Sequence, residues 1–423
     1  MKYLYPGYRS SFVAAILGVA MTLSGLCPVA VSARDFGVMD VSSEIARFNA
    51  TVAKERPNAY KEKLAAMKVD AFCFLRATDH LMIADIQSSP SLAFLNTAPA
   101  GLCQGDMHIN NFGVLYFPGK KGSYSPDDLD EAHNAPLAYD LFRLCVSLRV
   151  GFHDIIDKGD KNDAVDALID GYLEGLSQQS NPDWPACALP NFLGNFIDDA
   201  SSKSQRKLLE KWVDSKHLCF MHSDELLPVD KSDAVSLNQT LQTYFNQRGK
   251  AAGVSVDEVR ILDLVRREGK GLSSIGLWRY FALLRGDAPD GSHARLIEIK
   301  QMRPSCLGPG SPDTQARDTM AGLAAAHRDR DIFVGNFPYK GMRFLVRELY
   351  PWSLRYDVND IKSDNVSKFA HALGAIAADF HGQSGKGSAI AGWVKANRDV
   401  LSEAAHAYAK QVREDWKEFS GKK

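Results

Sequence analysis

Gly105-Asp106-Met107-His108-Ile109-Asn110-Asn111-Phe112-Gly113 sets an acid, an imidazole and two amides between two glycines. The apolar runs Leu102-Cys103 and Val114-Leu115-Tyr116-Phe117 flank it. That pattern predicts a polar loop between two short strands held by a core, a usual place for chemically active groups. An Asx-rich turn with a satisfied histidine is the plainer alternative. Some twenty residues on, Asp127-Asp128-Leu129-Asp130-Glu131 crowds four carboxylates into five positions, followed by Pro136 and Tyr139-Asp140-Leu141-Phe142-Arg143-Leu144. Carboxylates this close raise one another's pKa unless a cation neutralises them. The carboxylates of Asp128 and Asp130 and the amide oxygen of Asn111 are hard ligands suited to Mg2+ or Mn2+ rather than zinc. Asp106 is then available to take a proton from a hydroxyl, with His108 bracing the loop. One Asp as base, with an Asn and a second Asp on a metal, is the division of labour that phosphoryl transfer needs.

The first loop resembles the HGD-x-H-x-x-N catalytic loop of the aminoglycoside phosphotransferase branch of the protein-kinase-like fold. The stretch from Asp127 to Leu141 resembles its IDFxxA…P…YDLA metal loop. The resemblance implies Asp106 as catalytic acid/base, Asn111 and Asp128 as metal ligands, and Asp140 as a buried support of the loop. Gln104 stands where that branch has its first His. Beyond residue 70 the chain is also similar to a bacterial family catalogued as domain of unknown function 2252. That family carries Phe-x-Arg-Gly (here Phe74-Leu75-Arg76-Ala77), GDxHxxNFG, DFDE (Asp128 to Glu131) and DLxRL (Asp140 to Leu144). It implies Arg76 as a partner of phosphate or carboxylate.

Much later, Gly269-Lys270-Gly271-Leu272-Ser273-Ser274-Ile275-Gly276 precedes a strand over Trp278–Leu284, a turn over Gly286–Gly291 and a second strand over Ala294–Lys300. Backbone N–H groups of such a loop, at Gly271, Ser273, Ser274 and Gly276, can approach a polyphosphate, and Lys300 can pair with it. An ordinary surface hairpin with a solvated lysine is the alternative. The same bacterial family has a similar GxGSxG…RY…L…KE stretch, with an acid where this chain has Gln301 and one residue fewer in the loop. Arg347-Glu348-Leu349-Tyr350-Pro351 is placed like the strand and hinge joining kinase lobes, which puts Arg347 and Glu348 among the nucleotide-contacting residues.

In kinases the glycine loop, lysine strand and hinge precede the catalytic loop; here they follow it. We therefore expect an α+β, two-lobed, circularly permuted kinase-like fold. Residues 34–255 form a helical lobe with the catalytic and metal loops, 256–351 a small β-rich lobe, and 352–423 helices packing on the large lobe. Permutation is tolerable where the original termini lie close together. The fold requires Lys300 within about 15 Å of Asp128, the reach of a lysine and a bound triphosphate.

The elements that must position these loops follow from periodicity. Ser42–Ile86 reads as helix broken at Pro57, with Ser42 or Ser43 as cap. Leu141–Phe152, Ala164–Leu176, Ser201–Ser215, Val235–Arg248, Ser367–His381 and Gly392–Phe419 read as further helices, and Ile332–Phe337 and Arg343–Leu349 as strands. The basic residues within Ser201–Lys216 read as a solvated face.

The chain has 423 residues, 45% apolar and 24% charged, with a formal charge of −1. This is an ordinary globular composition with no nucleic-acid footprint. Lys2 and Arg9 precede an apolar run from Phe12 to Leu26, and Val31-Ser32-Ala33 offers small residues for cleavage. Residues 1–33 are thus expected to be a secretory signal, leaving a periplasmic or secreted protein without a stable membrane anchor. Six cysteines remain beyond it, which permits disulfides without requiring them.

The expected function is a Mg2+- (or Mn2+-) and ATP-dependent transfer of a phosphoryl or nucleotidyl group to an acceptor, a small molecule or protein, that the sequence does not identify. An exported, non-catalytic pseudokinase-like binder of a ligand or metal is the alternative. A hydrolase with Asp106, His108, Asp128 and His133 on a metal is a third reading.

Overall fold

The computed structural model describes residues 35–38, 40–116, 121–153, 158–181, 184, 186–269, 271–288, 290–308, 310–328 and 330–422, without the side chains of 158–163, 187 and 273. The expected signal segment lies outside these residues.

Five short helices open the chain: α1 (Val41–Phe48), α2 (Ala50–Glu55), α3 (Pro57–Met67), α4 (Ala71–Ala77) and α5 (Asp79–Ser88). Their ends follow local chemistry. The cap of α1 is Asp40 rather than a serine, because its carboxylate accepts from the Ser43 N–H at 2.9 Å. Pro57 occupies the first turn of α3, where its missing N–H costs nothing. Asp70 accepts from the Cys73 N–H at 2.6 Å and caps α4.

Four short strands follow: β1 (Ala100–Cys103), β2 (Phe112–Leu115), β3 (Ser123–Pro126) and β4 (His133–Pro136). The two flanks of the first polar loop are strands, as expected, but they do not pair with each other. β1 pairs with β4, and β2 with β3, both antiparallel. This nesting brings the 104–111 and 127–132 loops to the same end. Cys103 stands opposite His133 and Phe112 opposite Pro126, so both loops leave the ladders side by side.

The helices α6 (Ala138–Gly151), α7 (Lys158–Ser177) and α8 (Asn191–Ser201) come next, and then the short α9 (Gln205–Glu210). A helix was expected over Ser201–Ser215. Instead the hydroxyl of Ser204 starts α9 by accepting from the Lys207 N–H, and Trp212 and Val213 turn inward onto Phe281 and its apolar neighbours. Their burial outweighs continuing the helix. The chain then forms β5 (Val213–Asp214), β6 (Cys219–Phe220) and β7 (Leu226–Pro228), followed by α10 (Lys231–Ala251).

The remaining elements are β8 (Ile261–Arg267), β9 (Arg279–Leu284), β10 (Arg295–Met302), α11 (Pro312–Ala325), β11 (Gly335–Tyr339), β12 (Met342–Glu348), α12 (Val366–Gly382) and α13 (Gly387–Ser420). The main sheet runs β11-β12-β10-β9-β8-β7, with every neighbour antiparallel. The hairpin expected over 278–300 is β9 and β10, with Arg279 opposite Lys300. α11 lacked an expectation; Ser311, accepting from Thr314 N–H, and Pro312 at its start are the local signal.

The protein is therefore α+β. Its largest core joins α4–α8, α12 and α13 around Phe74, Phe142, Tyr172 and Phe380. Two smaller cores cover the faces of the main sheet. They include Leu209, Leu226, Leu237 and Phe245, so packing against the sheet begins upstream of residue 256. Residues 34–423 form one compact unit.

Candidate active site

The loop after β1 is held by its backbone. Asp140, in the first turn of α6, accepts from the N–H groups of Gln104 at 2.5 Å and Gly105 at 3.0 Å, and meets His381 Nε2 at 3.1 Å. This is the supporting role expected of Asp140. Gly105 has φ +95°, and a Cβ there would lie 2.2 Å from the carbonyl oxygen of Glu131, so no larger residue fits between the loops. Gln104, the departure from the phosphotransferase motif, ties the loops together by donating to the carbonyls of Asp127 at 3.1 Å and Asp128 at 2.9 Å.

Asp106 is not free, as the sequence reading had it. Arg143 Nε donates to its Oδ1 at 2.7 Å, and an Arg143 terminal nitrogen touches the same oxygen. Burial raises the Asp106 carboxyl to about 7, the nearby Asp79 adding to the rise while Arg143 opposes it. An aspartate that titrates near neutrality suits proton transfer. His108 lies beside it, Nε2 at 3.7 Å from Asp106 Oδ2, while its Nδ1 accepts from the Asn110 N–H at 3.2 Å. Burial, then the charges of Arg76, Arg143 and Arg355, keep the imidazole neutral. His108 thus braces the loop without carrying charge.

The metal-loop residues meet the late strand. Asp128 adopts φ +61°, and its Oδ1 lies 3.0 Å from Lys300 Nζ; the same ammonium contacts Asp130. The separation of about 15 Å allowed between Lys300 and Asp128 is met with a direct ion pair. Burial drives the Asp128 carboxyl up, but Lys300, Arg355 and Arg347 together hold it below the ordinary range. Asp130 is raised, by burial and by the charge of Asp128, against Lys300. The crowded acids need a cation, and Lys300 supplies one.

Asn111 donates through Nδ2 to the carbonyl of Asp106 at 2.9 Å, leaving its Oδ1 toward Arg355 Nη1 at 3.2 Å. The same guanidinium lies 3.8 Å from Asp128 Oδ2. Oxygens of Asn111 and Asp128 therefore face a common cationic group. With Asp130 they make a set of hard donors, which fits Mg2+ or Mn2+ provided Lys300 and Arg355 yield to it.

The glycine-rich segment reaches this place. Ser274, Lys300, Asp106, Asp128 and Asp130 line one narrow cleft of about 20 Å3. Gly271 and Gly276 have φ +77° and +97°. A Cβ on Gly276 would lie 2.2 Å from Val52, so α2 packs directly on the loop. Ser274 accepts from Arg279 at 2.9 Å and donates to the Gly271 carbonyl. The Ser273 side chain lies outside the described residues.

Arg347 and Glu348 belong to a second cavity of about 250 Å3, with Asp127, Arg328, Arg355, Tyr116, Tyr350 and Trp352. Tyr350 and Trp352 stack at 4.9 Å, and Tyr116 meets Trp352 edge-on. Arg347 pairs with Glu298 at 2.7 Å and Asp127 at 3.4 Å; Glu348 pairs with Arg295 at 3.0 Å and accepts from Tyr350. Burial raises the Glu348 carboxyl to about 7, against Arg295.

Four residues of this network carried no role in the sequence reading: Asp127, Arg143, Arg328 and Arg355. Asp127 is ringed by Arg355 at 2.8 Å, Arg347 at 3.4 Å and Arg328 at 3.9 Å. Arg143 sits within the DLxRL stretch and Asp127 opens the acidic run, so both were visible as residue types. Arg328 and Arg355 stand outside any motif. Arg76 is half-buried, lies against Phe72 and has no hydrogen-bond or ion-pair partner among the described residues.

The metal-hydrolase set does not converge. His133 pairs with Asp318 at 3.0 Å, and among the described residues the cluster of His, Cys, Asp and Glu close enough for a metal is Asp79, Glu131 and Cys306. Cys73, Cys103, Cys145, Cys219 and Cys306 are free thiols. No described helix is long and apolar enough to cross a membrane.

Fold and site together define an α+β protein with a buried, ion-paired cleft where two nested loops meet a sheet lysine. A family model described as an uncharacterized protein conserved in bacteria (DUF2252) matches residues 55–422, and the chain belongs to that family. No curated protein and no solved structure matches the chain.

Proposed function

We propose that this protein is a kinase-like transferase, its motifs cyclically permuted, that moves a phosphoryl or nucleotidyl group from ATP in the presence of Mg2+. The observation that carries this reading is the contact of Lys300 with Asp128 across 172 residues of sequence, in the cleft that also holds Asp106 and Ser274. Asp106 takes the acceptor's proton. Its raised pKa gives it the basicity for this near neutral pH. Asn111, Asp128 and Asp130 would hold Mg2+, which supplies charge neutralisation on the phosphates. Lys300, with the backbone around Gly271–Gly276, grips the polyphosphate. The aromatic-walled cavity beside Arg347 is adjacent and takes the base. Arg76, unpaired, orients an anionic group of donor or acceptor. Its expected signal segment would direct it to the periplasm or out of the cell. Incubation with labelled ATP, Mg2+ and an acceptor panel tests it: wild type transfers label, Asp106→Asn does not, and label transfer by neither defeats it.

The second reading, an exported binding protein, is favoured by one observation. Asp106 and both acids on Lys300 already have cationic partners, a closed arrangement that needs no cofactor to be stable. A thermal shift with Mg2+ and millimolar ATP separates the two, since a protein that takes no nucleotide shows none.

A further inference from the structure

We propose that Asp79, Glu131 and Cys306 form a binding site for a zinc-class transition metal at the edge of the cleft, a function separate from the magnesium reading above. Ligand atoms of Asp79, Glu131 and Cys306 lie within 4.8 Å of one another. Cys306 Sγ is 3.3 Å from Asp79 Oδ2, and the Cys306 N–H donates to Glu131 Oε2 at 3.2 Å, which aims thiol and carboxylates at one point. His80 lies beside this group without belonging to it, its Nδ1 3.5 Å from Asp79 Oδ1.

The independent observation is what these groups lack. Asp79 and His80 are 1% and 4% exposed, yet Asp79 Oδ1 and both ring nitrogens of His80 have no hydrogen-bond partner. Asp79 Oδ1 and His80 Nδ1 face each other at 3.5 Å without completing a hydrogen bond, so the Asp79 carboxylate, itself a member of the cluster, keeps buried capacity for a further partner. Phe48 stacks on the imidazole at 3.8 Å and fixes its plane. Arg303 partly balances the charge, at 2.9 Å from Glu131 and 3.7 Å from Asp79 Oδ2, but hydrogen-bonds to neither orphaned group. A cation would satisfy the carboxylate. Thiolate and carboxylates together select zinc or cobalt over magnesium. Binding would release the Cys306 thiol proton to water and form a metal–sulfur bond in its place.

Full-length protein, stripped with chelator and titrated with Co2+, provides the test. One equivalent should bind with a thiolate-to-cobalt charge-transfer band that persists in millimolar Mg2+ and is displaced by Zn2+. Cys306→Ser should remove the band and weaken binding by at least about tenfold, the lower end of what losing a metal-site partner costs. Arg303→Met removes the competing cation, so it should tighten binding. Wild type without a stoichiometric band, or a band that survives in Cys306→Ser, overturns the site. Neither outcome depends on ATP transfer.

Discussion

Replacing Lys300 with Met keeps the aliphatic stem and deletes the charge. Lys300 is 5% exposed, and Asp128 and Asp130 lose their nearest cation together. At an effective dielectric of about 20, unit charges 3.0 Å apart attract by about 5 kcal/mol before desolvation is subtracted. Breaking a buried pair from one side costs about 3–5 kcal/mol because the remaining charge is stranded. We expect a loss of that size in urea unfolding at pH 7. The pH dependence has a definite sign. Lys300 helps hold Asp128 below the ordinary carboxylate range, so its contribution is present above the unfolded pKa, near 3.8, and fades as pH falls through the depressed folded value. The mutant's deficit should therefore be full at pH 7 and shrink in acid. Mg2+ should restore more stability to the mutant than to wild type, since it no longer competes with the ammonium. A deficit under about 1 kcal/mol at pH 7, below the usual range for a broken buried pair, would refute the assignment of Lys300 as counter-ion. So would a deficit that does not change with pH.

Transfer should rise with pH through about 7, as Asp106 loses its proton, and vanish in Asp106→Asn; a pH–rate profile with labelled ATP reads this. The raised pKa also means that Asp106 contributes stability below its unfolded value that is lost as pH rises through about 7. Asp106→Asn cannot ionise and escapes that loss, so it should be less costly to stability at pH 8 than at pH 5. Asp140→Asn weakens two backbone hydrogen bonds to a carboxylate and should cost about 2–3 kcal/mol, measured by denaturant unfolding. Gly276→Ala should destabilise by about 1–3 kcal/mol through its positive φ and its collision with Val52. Adding Val52→Ala should recover the collision part alone.

Much of this site was legible because its residues sit in two short runs. Asp106, His108 and Asn111 come within six positions, and Asp128, Asp130 and Glu131 within four, so residue type and spacing exposed them. Asp140 was readable through its motif. Lys300 needed more: only its place after a glycine-rich loop and a hairpin turn linked it to acids far upstream. The arginines were less accessible. Arg328 and Arg355 look like ordinary surface charges in sequence, and what makes them part of the site is contact with Asp127, more than two hundred residues away in the chain. The missed start of the sheet region has a similar cause. β5, β6 and β7 are two or three residues long, too short for period-two alternation to show. Phe220 is buried and Trp212 half-buried by contact with Phe281, a fact of tertiary structure that local pattern cannot supply.

On the transferase reading, the ion pairs constrain the order in which a nucleotide can enter. Lys300 cannot grip a polyphosphate while it holds Asp128 and Asp130, because releasing it alone would leave both acids buried without a cation. An anion arriving by itself would add to that repulsion. A divalent cation arriving with the polyphosphate solves both problems, since it takes over the acids as the ammonium turns to the phosphates. Nucleotide binding should therefore depend on Mg2+ far more steeply in wild type than in Lys300→Met, where the exchange has already been made. Arg76 is the exception in the network, a guanidinium with nothing to release. On the transferase reading it can take an anionic group of donor or acceptor, so Arg76→Met should weaken substrate binding while leaving the pairs around Lys300 intact.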